Sequence, residues 1–228
     1  MSGVPSPTSL RLRCNSLTNC GIGPGKQFVA WLFALITSVI LSGKQGRGAI
    51  VSCGVRMGNF YTNITLRSTY RQALIEHMRA QSRRCFISPA HQGFTTIYDR
   101  LCEEQDLTDL EALATNLSSR FNCTALAVLN HDDDVLWIGL ARDGKWLTTY
   151  QSDQSLSGSA WRLVQEFKIM GLLPLVWFLM RWPFFLFEIW RHAALASVLG
   201  IPNATVGLGY EYLSRGERPA GAGQFESI

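Results

Sequence analysis

The chain has 228 residues, 47% of them hydrophobic and 17% charged, with a formal net charge of +4. These fractions are those of a globular protein with room for one large domain or two small ones. Much of the positive excess (Arg11, Arg13, Lys26, Lys44, Arg47 and Arg56) lies ahead of Met57 and the rest nearly balances, so the extended basic footprint of a nucleic-acid-binding protein is not indicated. The six cysteines, Cys14, Cys20, Cys53, Cys85, Cys102 and Cys123, form no C-x-x-C pair, which argues against a zinc site.

In chain order, the first feature is an apolar run from Phe28 to Leu41. It is shorter than the ~20 residues that span a bilayer, and suits a signal-peptide core better. Ile50-Val51-Ser52-Cys53 resembles a bacterial lipobox, yet Lys44 and Arg47 intervene. Three readings of residues 1–56 stay open: an over-called start, an export or lipoprotein signal, or a short membrane anchor. In each they form an extension outside the folded domain. Cys85 and Cys123 sit in apolar runs, where a free thiol behaves as a small hydrophobe. That points to a reducing cytoplasm, with export or membrane anchoring as the alternative if residues 1–56 are translated.

From Met57 the pattern becomes regular. Phe60, Thr62, Ile64 and Leu66 alternate with Tyr61, Asn63, Thr65 and Arg67, which predicts a strand with one buried face. Ser68 or Thr69 then caps a helix with Tyr70, Leu74 and Met78 at four-residue spacing. Strands are expected over 84–88 and 94–100, joined as a hairpin through Pro89 and Gly93. Thr108-Asp109-Leu110-Glu111 reads as a capping box, opening a helix striped by Leu110, Leu113, Ala114, Leu117 and Phe121. A central strand over 125–129 follows, then strands over 135–141 and 146–150 around an Asp143-Gly144 turn. The first six elements, β-α-β-β-α-β, describe a ferredoxin-like sandwich.

Residues 151–159 read as a polar loop, and Trp161 to Trp190 as a very apolar segment. Its stretch 172–189 approaches spanning length, but carries Arg181, Glu188 and two prolines. The expectation is two short buried helices broken at Pro174 and Pro183, with membrane contact as the competing reading. A helix over 191–199 stops at Gly200.

The one dense polar cluster is Asn130-His131-Asp132-Asp133-Asp134. His131, Asp132, Asp133 and Asp134 are candidate ligands for a divalent cation, since carboxylates are hard oxygen donors. Asn and Asp are equally the residues that turns favour, and adjacent Asp side chains point apart, so the turn reading is preferred. Glu188, Arg191 and His192 form a second group, suited to an anion or to a helix-surface ion pair. A helix-turn-helix spacing at Ala196, Gly200 and Val206 is undercut by Gly207 and Gly209. No G-x-S-x-G elbow, phosphate loop, G-x-G-x-x-G or H-E-x-x-H occurs, so no catalytic residue or cofactor is assigned.

Met57-Gly-Asn-Phe-Tyr-Thr-Asn-Ile-Thr, the Leu129-to-Trp137 stretch and Leu199-Gly-Ile-Pro202 together resemble a family of bacterial proteins with no assigned activity. The resemblance covers most of 57–217 and implies Met57 as a native start.

The sequence therefore predicts an α+β chain: a sandwich over 57–150 (βαββαβ plus an extra hairpin), a helical extension over 151–217 packed on the sheet, and a disordered tail over 218–228. The expected role is a non-catalytic binding or interaction protein, with a protein partner possible through an apolar face. Metal-dependent activity at His131–Asp134 and membrane association through 28–41 and 172–189 are the alternatives.

Overall fold

A computed structural model describes residues 59–67, 71–154, 157–183, 185–219 and 223–228. The expectations for residues 1–56 and for the Ser68 or Thr69 cap lie outside the described residues. The described strands are β1 (Tyr61–Arg67), β2 (Cys85–Ile87), β3 (Phe94–Asp99), β4 (Thr124–His131), β5 (Val135–Arg142), β6 (Lys145–Gln151) and β7 (Glu226–Ser227). The helices are α1 (Arg71–Ala80), α2 (Leu107–Arg120), α3 (Ala160–Phe167), α4 (Leu173–Arg181), α5 (Glu188–Leu199) and α6 (Tyr210–Ser214). The strands make one antiparallel sheet in the order β6-β5-β4-β1-β3-β2-β7. The fold is α+β, and the sheet is larger than the sequence suggested.

β1 sits inside the sheet, with Ile64 opposite Ile97 of β3 and Ala127 of β4. Ile64, Leu66, Ile97 and Leu129 share one core with Leu74, Ile75 and Met78 of α1 and Leu110, Leu113 and Leu117 of α2. α2 starts earlier than the capping-box reading implied: Asp106 is the cap, its carboxylate accepting from the Thr108 N–H at 2.7 Å. Hairpin turns at Gln92-Gly93 and Asp143-Gly144 hold both central residues at positive φ, the requirement of a type I′ connection.

Alternation along β1 does not mark one buried and one solvated face. Tyr61, Asn63 and Thr65 are buried too, and Phe60, just before the strand, is exposed. The cause is tertiary: the later helices cover the second face, and a polar residue there is tolerated because it finds a partner. Tyr150 of β6 donates its hydroxyl hydrogen to the Met180 carbonyl on α4 at 2.8 Å, and Arg67 reaches the Glu166 carbonyl on α3 at 2.8 Å.

Only one of the two expected proline breaks is present. Pro174 lies in the first turn of α4, where its missing N–H costs nothing. α4 ends at Arg181, with Trp182 as its cap, before Pro183. Among the described residues no helix is long and apolar enough to cross a membrane. The tail expected to be disordered carries β7: Ile228 exchanges backbone hydrogen bonds with Cys85, and Phe225 packs on Tyr98 at 5.9 Å between ring centroids.

Candidate functional site

The acidic turn and the α5 group, read separately in the sequence, lie together at one end of the sheet. Asp132 and Asp133 adopt φ of 57° and 60°, and the Asp134 N–H closes the turn on the His131 carbonyl at 3.0 Å. Asp and Asn tolerate this left-handed geometry better than most residues. The four candidate ligands diverge. His131 is exposed, lies edge-on to Phe60 and bonds Gln105 through Nδ1. Asp134 faces solvent and Asp132 is half-buried. Asp133 is buried, its carboxylate accepting from the side-chain amides of Asn59 and Asn130. Among the described residues no three His, Cys, Asp or Glu side chains converge as metal ligands do.

Asp133 also joins the turn to α5, its carbonyl accepting from the Glu188 N–H at 2.9 Å. The Glu188, Arg191 and His192 group is not on the surface, as the sequence suggested. All three are buried, because α5 lies over β5 and the turn between β4 and β5. Arg191 grips both Glu188 oxygens, through Nε at 2.7 Å and Nη2 at 3.1 Å, and donates from Nη1 to the Leu179 carbonyl at 2.8 Å. Its guanidinium lies over the Phe185 ring, 4.7 Å from the centroid. Burial pushes the Glu188 carboxyl above the ordinary carboxylate range, and Arg191 opposes that shift.

His192 Nδ1 and the Tyr61 hydroxyl lie 2.7 Å apart, with the two rings stacked. One hydrogen bond joins the phenol and the imidazole, and each group can serve as its donor or its acceptor. Burial lowers His192 to a pKa of about 4, and raises the Tyr61 phenol. Both are neutral at neutral pH. This cluster is a sealed polar contact between helix and sheet, and it lines neither the cavity beside β3 nor the depression beside α2.

A cavity of about 680 Å³ lies farther along the same sheet face. Thr96 and Tyr98 of β3 line it together with His91 at the hairpin, Ser197 at the end of α5, Asn203 and Phe225. The loop behind it is pinned to β1, because Asn63 Nδ2 donates to the Thr205 and Leu208 carbonyls at 3.1 and 3.2 Å. Asn63 Oδ1 is buried without a protein partner. A second concavity, about 720 Å³, is a broader and more open depression between α2 and Gly144.

No protein-family model, curated protein or solved structure matches the chain.

Sequence reasoning missed Tyr61, Asn63 and the cavity. A buried tyrosine has no local signature, and the cavity walls come from segments more than a hundred residues apart. The available signal was indirect: the apolar segment after residue 160 needs a surface to cover.

Proposed function

We propose that the protein is a non-catalytic binding protein that takes a small uncharged ligand between β3, the end of α5 and the Phe225 segment. The cavity carries this reading. Its volume falls in the range of ~300–1,000 Å³ common to small-molecule sites. Among the described residues its lining mixes apolar and aromatic walls with hydroxyl and amide groups, and apart from the His91 imidazole it includes no side chain that carries charge near neutral pH. A charged ligand would lose water there without gaining a counter-charge. We also read the βαββαβ part as a ferredoxin-like core, supported by the inner order β4-β1-β3-β2 and by α1 and α2 sharing one core. The buried thiols Cys85, Cys102 and Cys123 suit a reducing cytoplasm.

The test is ligand-observed NMR on the full chain with a panel of neutral and charged metabolites. Neutral compounds are expected to bind, and Ala90→Trp, at an exposed position on the rim, should abolish their signals while leaving the fold intact. Hits confined to charged compounds, or hits indifferent to Ala90→Trp, would overturn the reading. The metal-dependent alternative at His131–Asp134 has less support, since both Asp133 oxygens are already taken by amides.

A further inference from the structure

The packing of α3 against α4 leaves an outer face of unusual composition. Leu163, Val164 and Phe167 of α3 and Leu175, Val176 and Leu179 of α4 are buried. The residues that remain outside are not polar. Trp161 is 51% exposed and Trp177 57%, with Met170 and Leu172 exposed between them. Met170, Pro174 and Trp177 follow one another at helical spacing across the 3-10 turn Met170–Leu172 and into α4. A large apolar exposure of this kind marks an interaction surface.

The charges beside it have one sign. Arg162 and Lys168 are exposed. Arg181 is tied to the Ser157 and Gly158 carbonyls. The one described acid between residues 160 and 183 is Glu166, half-buried beside Arg142 at 3.7 Å. A second copy of the chain docked here about a twofold axis would bring like cations together. A surface of anionic headgroups would complement them. Tryptophan favours the boundary between headgroups and acyl chains, with its ring in apolar surroundings and its N–H in the wet layer.

We propose that this face docks the protein on anionic lipid, with Trp161, Met170, Leu172 and Trp177 entering the interface and Arg162 and Lys168 facing phosphates. The helices lie on the membrane rather than cross it, since neither reaches spanning length. None of these residues lines the ligand cavity.

The experiment is sedimentation of the full chain with vesicles of phosphatidylcholine, alone or mixed with phosphatidylglycerol. Stronger partition to the mixed vesicles is expected. Arg162→Gln with Lys168→Gln should weaken it by about 25-fold, at about fivefold per cation removed. Trp177→Glu should lower partition to both vesicle types. All three substitutions are at exposed positions, and an unchanged melting temperature checks the fold. Because each variant keeps Phe28–Leu41, undiminished partition in all of them would place lipid binding elsewhere and overturn the proposal. So would absence of binding, or a lipid-free dimer, seen by light scattering, that Trp177→Glu dissociates.

Discussion

Arg191 is held in place by Glu188, by the Leu179 carbonyl and by the Phe185 ring. Taking it away leaves a carboxylate inside the protein without a counter-charge. Breaking a buried pair on one side costs about 3–5 kcal/mol. Urea denaturation of Arg191→Leu at pH 7 should show a loss of that size, and the Glu188→Leu, Arg191→Leu double variant a smaller one. His192 supplies a pH dependence. Its folded pKa of about 4 lies below the ordinary value of 6.5, so its contribution is fully present above pH 6.5 and is lost as pH falls through 4. A shift of that size corresponds to about 3 kcal/mol. Glu188 and Glu103, both raised by burial, contribute in the opposite sense and gain stability as pH falls. The comparison with His192→Asn, which keeps an acceptor near Nδ1, isolates the histidine. The stability advantage of wild type over the variant should be largest above pH 6.5 and shrink toward pH 4; a constant difference would contradict the assignment. For the acidic turn, calorimetry with magnesium, calcium, manganese and zinc should find nothing tighter than about millimolar, the weak end for oxygen sites. A micromolar site abolished by Asp132→Asn would restore the metal reading.

At the scale of elements, β7 is two residues long and yet holds an edge. It pairs with β2, Phe225 packs on Tyr98, and Glu226 meets Arg79. A chain ending at Ala222 should lose about 1.5–3 kcal/mol from the Phe225 side chain alone. It should also scatter light on heating, because the β2 edge is then free to pair with another molecule. Unchanged melting and no scattering would show β7 to be an ornament. Gly139 presents a similar case: a Cβ there runs into the stacked Trp137 and Trp146 rings. Gly139→Ala should therefore cost about 1–3 kcal/mol in a thermal or urea melt. Nothing in the neighbourhood of β7 announces a strand, since it borrows its conformation from an edge formed some 140 residues earlier. The stripe of α2 and the Asp143-Gly144 turn were legible because their causes are local: periodicity and φ. The second buried face of β1 was not, because Tyr61 and Asn63 look solvated until α5 and the loop after it return to them. The same holds for the candidate site. His131 to Asp134 and Glu188 to His192 were visible as clusters, but their adjacency depends on a helix returning to the turn between β4 and β5.

At the scale of the molecule, the described residues already satisfy the demands of a closed core. β1 is flanked by strands on both sides, and its two faces are covered by α1 and α2 on one side and by the later helices on the other. Asn59, through Asp133, joins the start of this region to the turn that supports α5. A chain beginning at Met57 keeps each of these contacts. It should therefore unfold in a single cooperative transition, with a midpoint close to that of the full chain. Aggregation, or a melt without a transition, would mean that residues 1–56 supply part of the core. The same shortened chain tests how the apolar segment after residue 160 is used. Leu175, Val176, Leu179 and Met180 are spent on packing, and Arg181 is anchored by carbonyls. What remains for lipid is a surface strip, too shallow to resist competition by salt. After expression without detergent, this chain should be recovered in the soluble fraction or released from membranes by high salt. Retention in the pellet through both salt and carbonate would show that the segment inserts, and both the fold of α3 to α5 and the docking face would have to be redrawn.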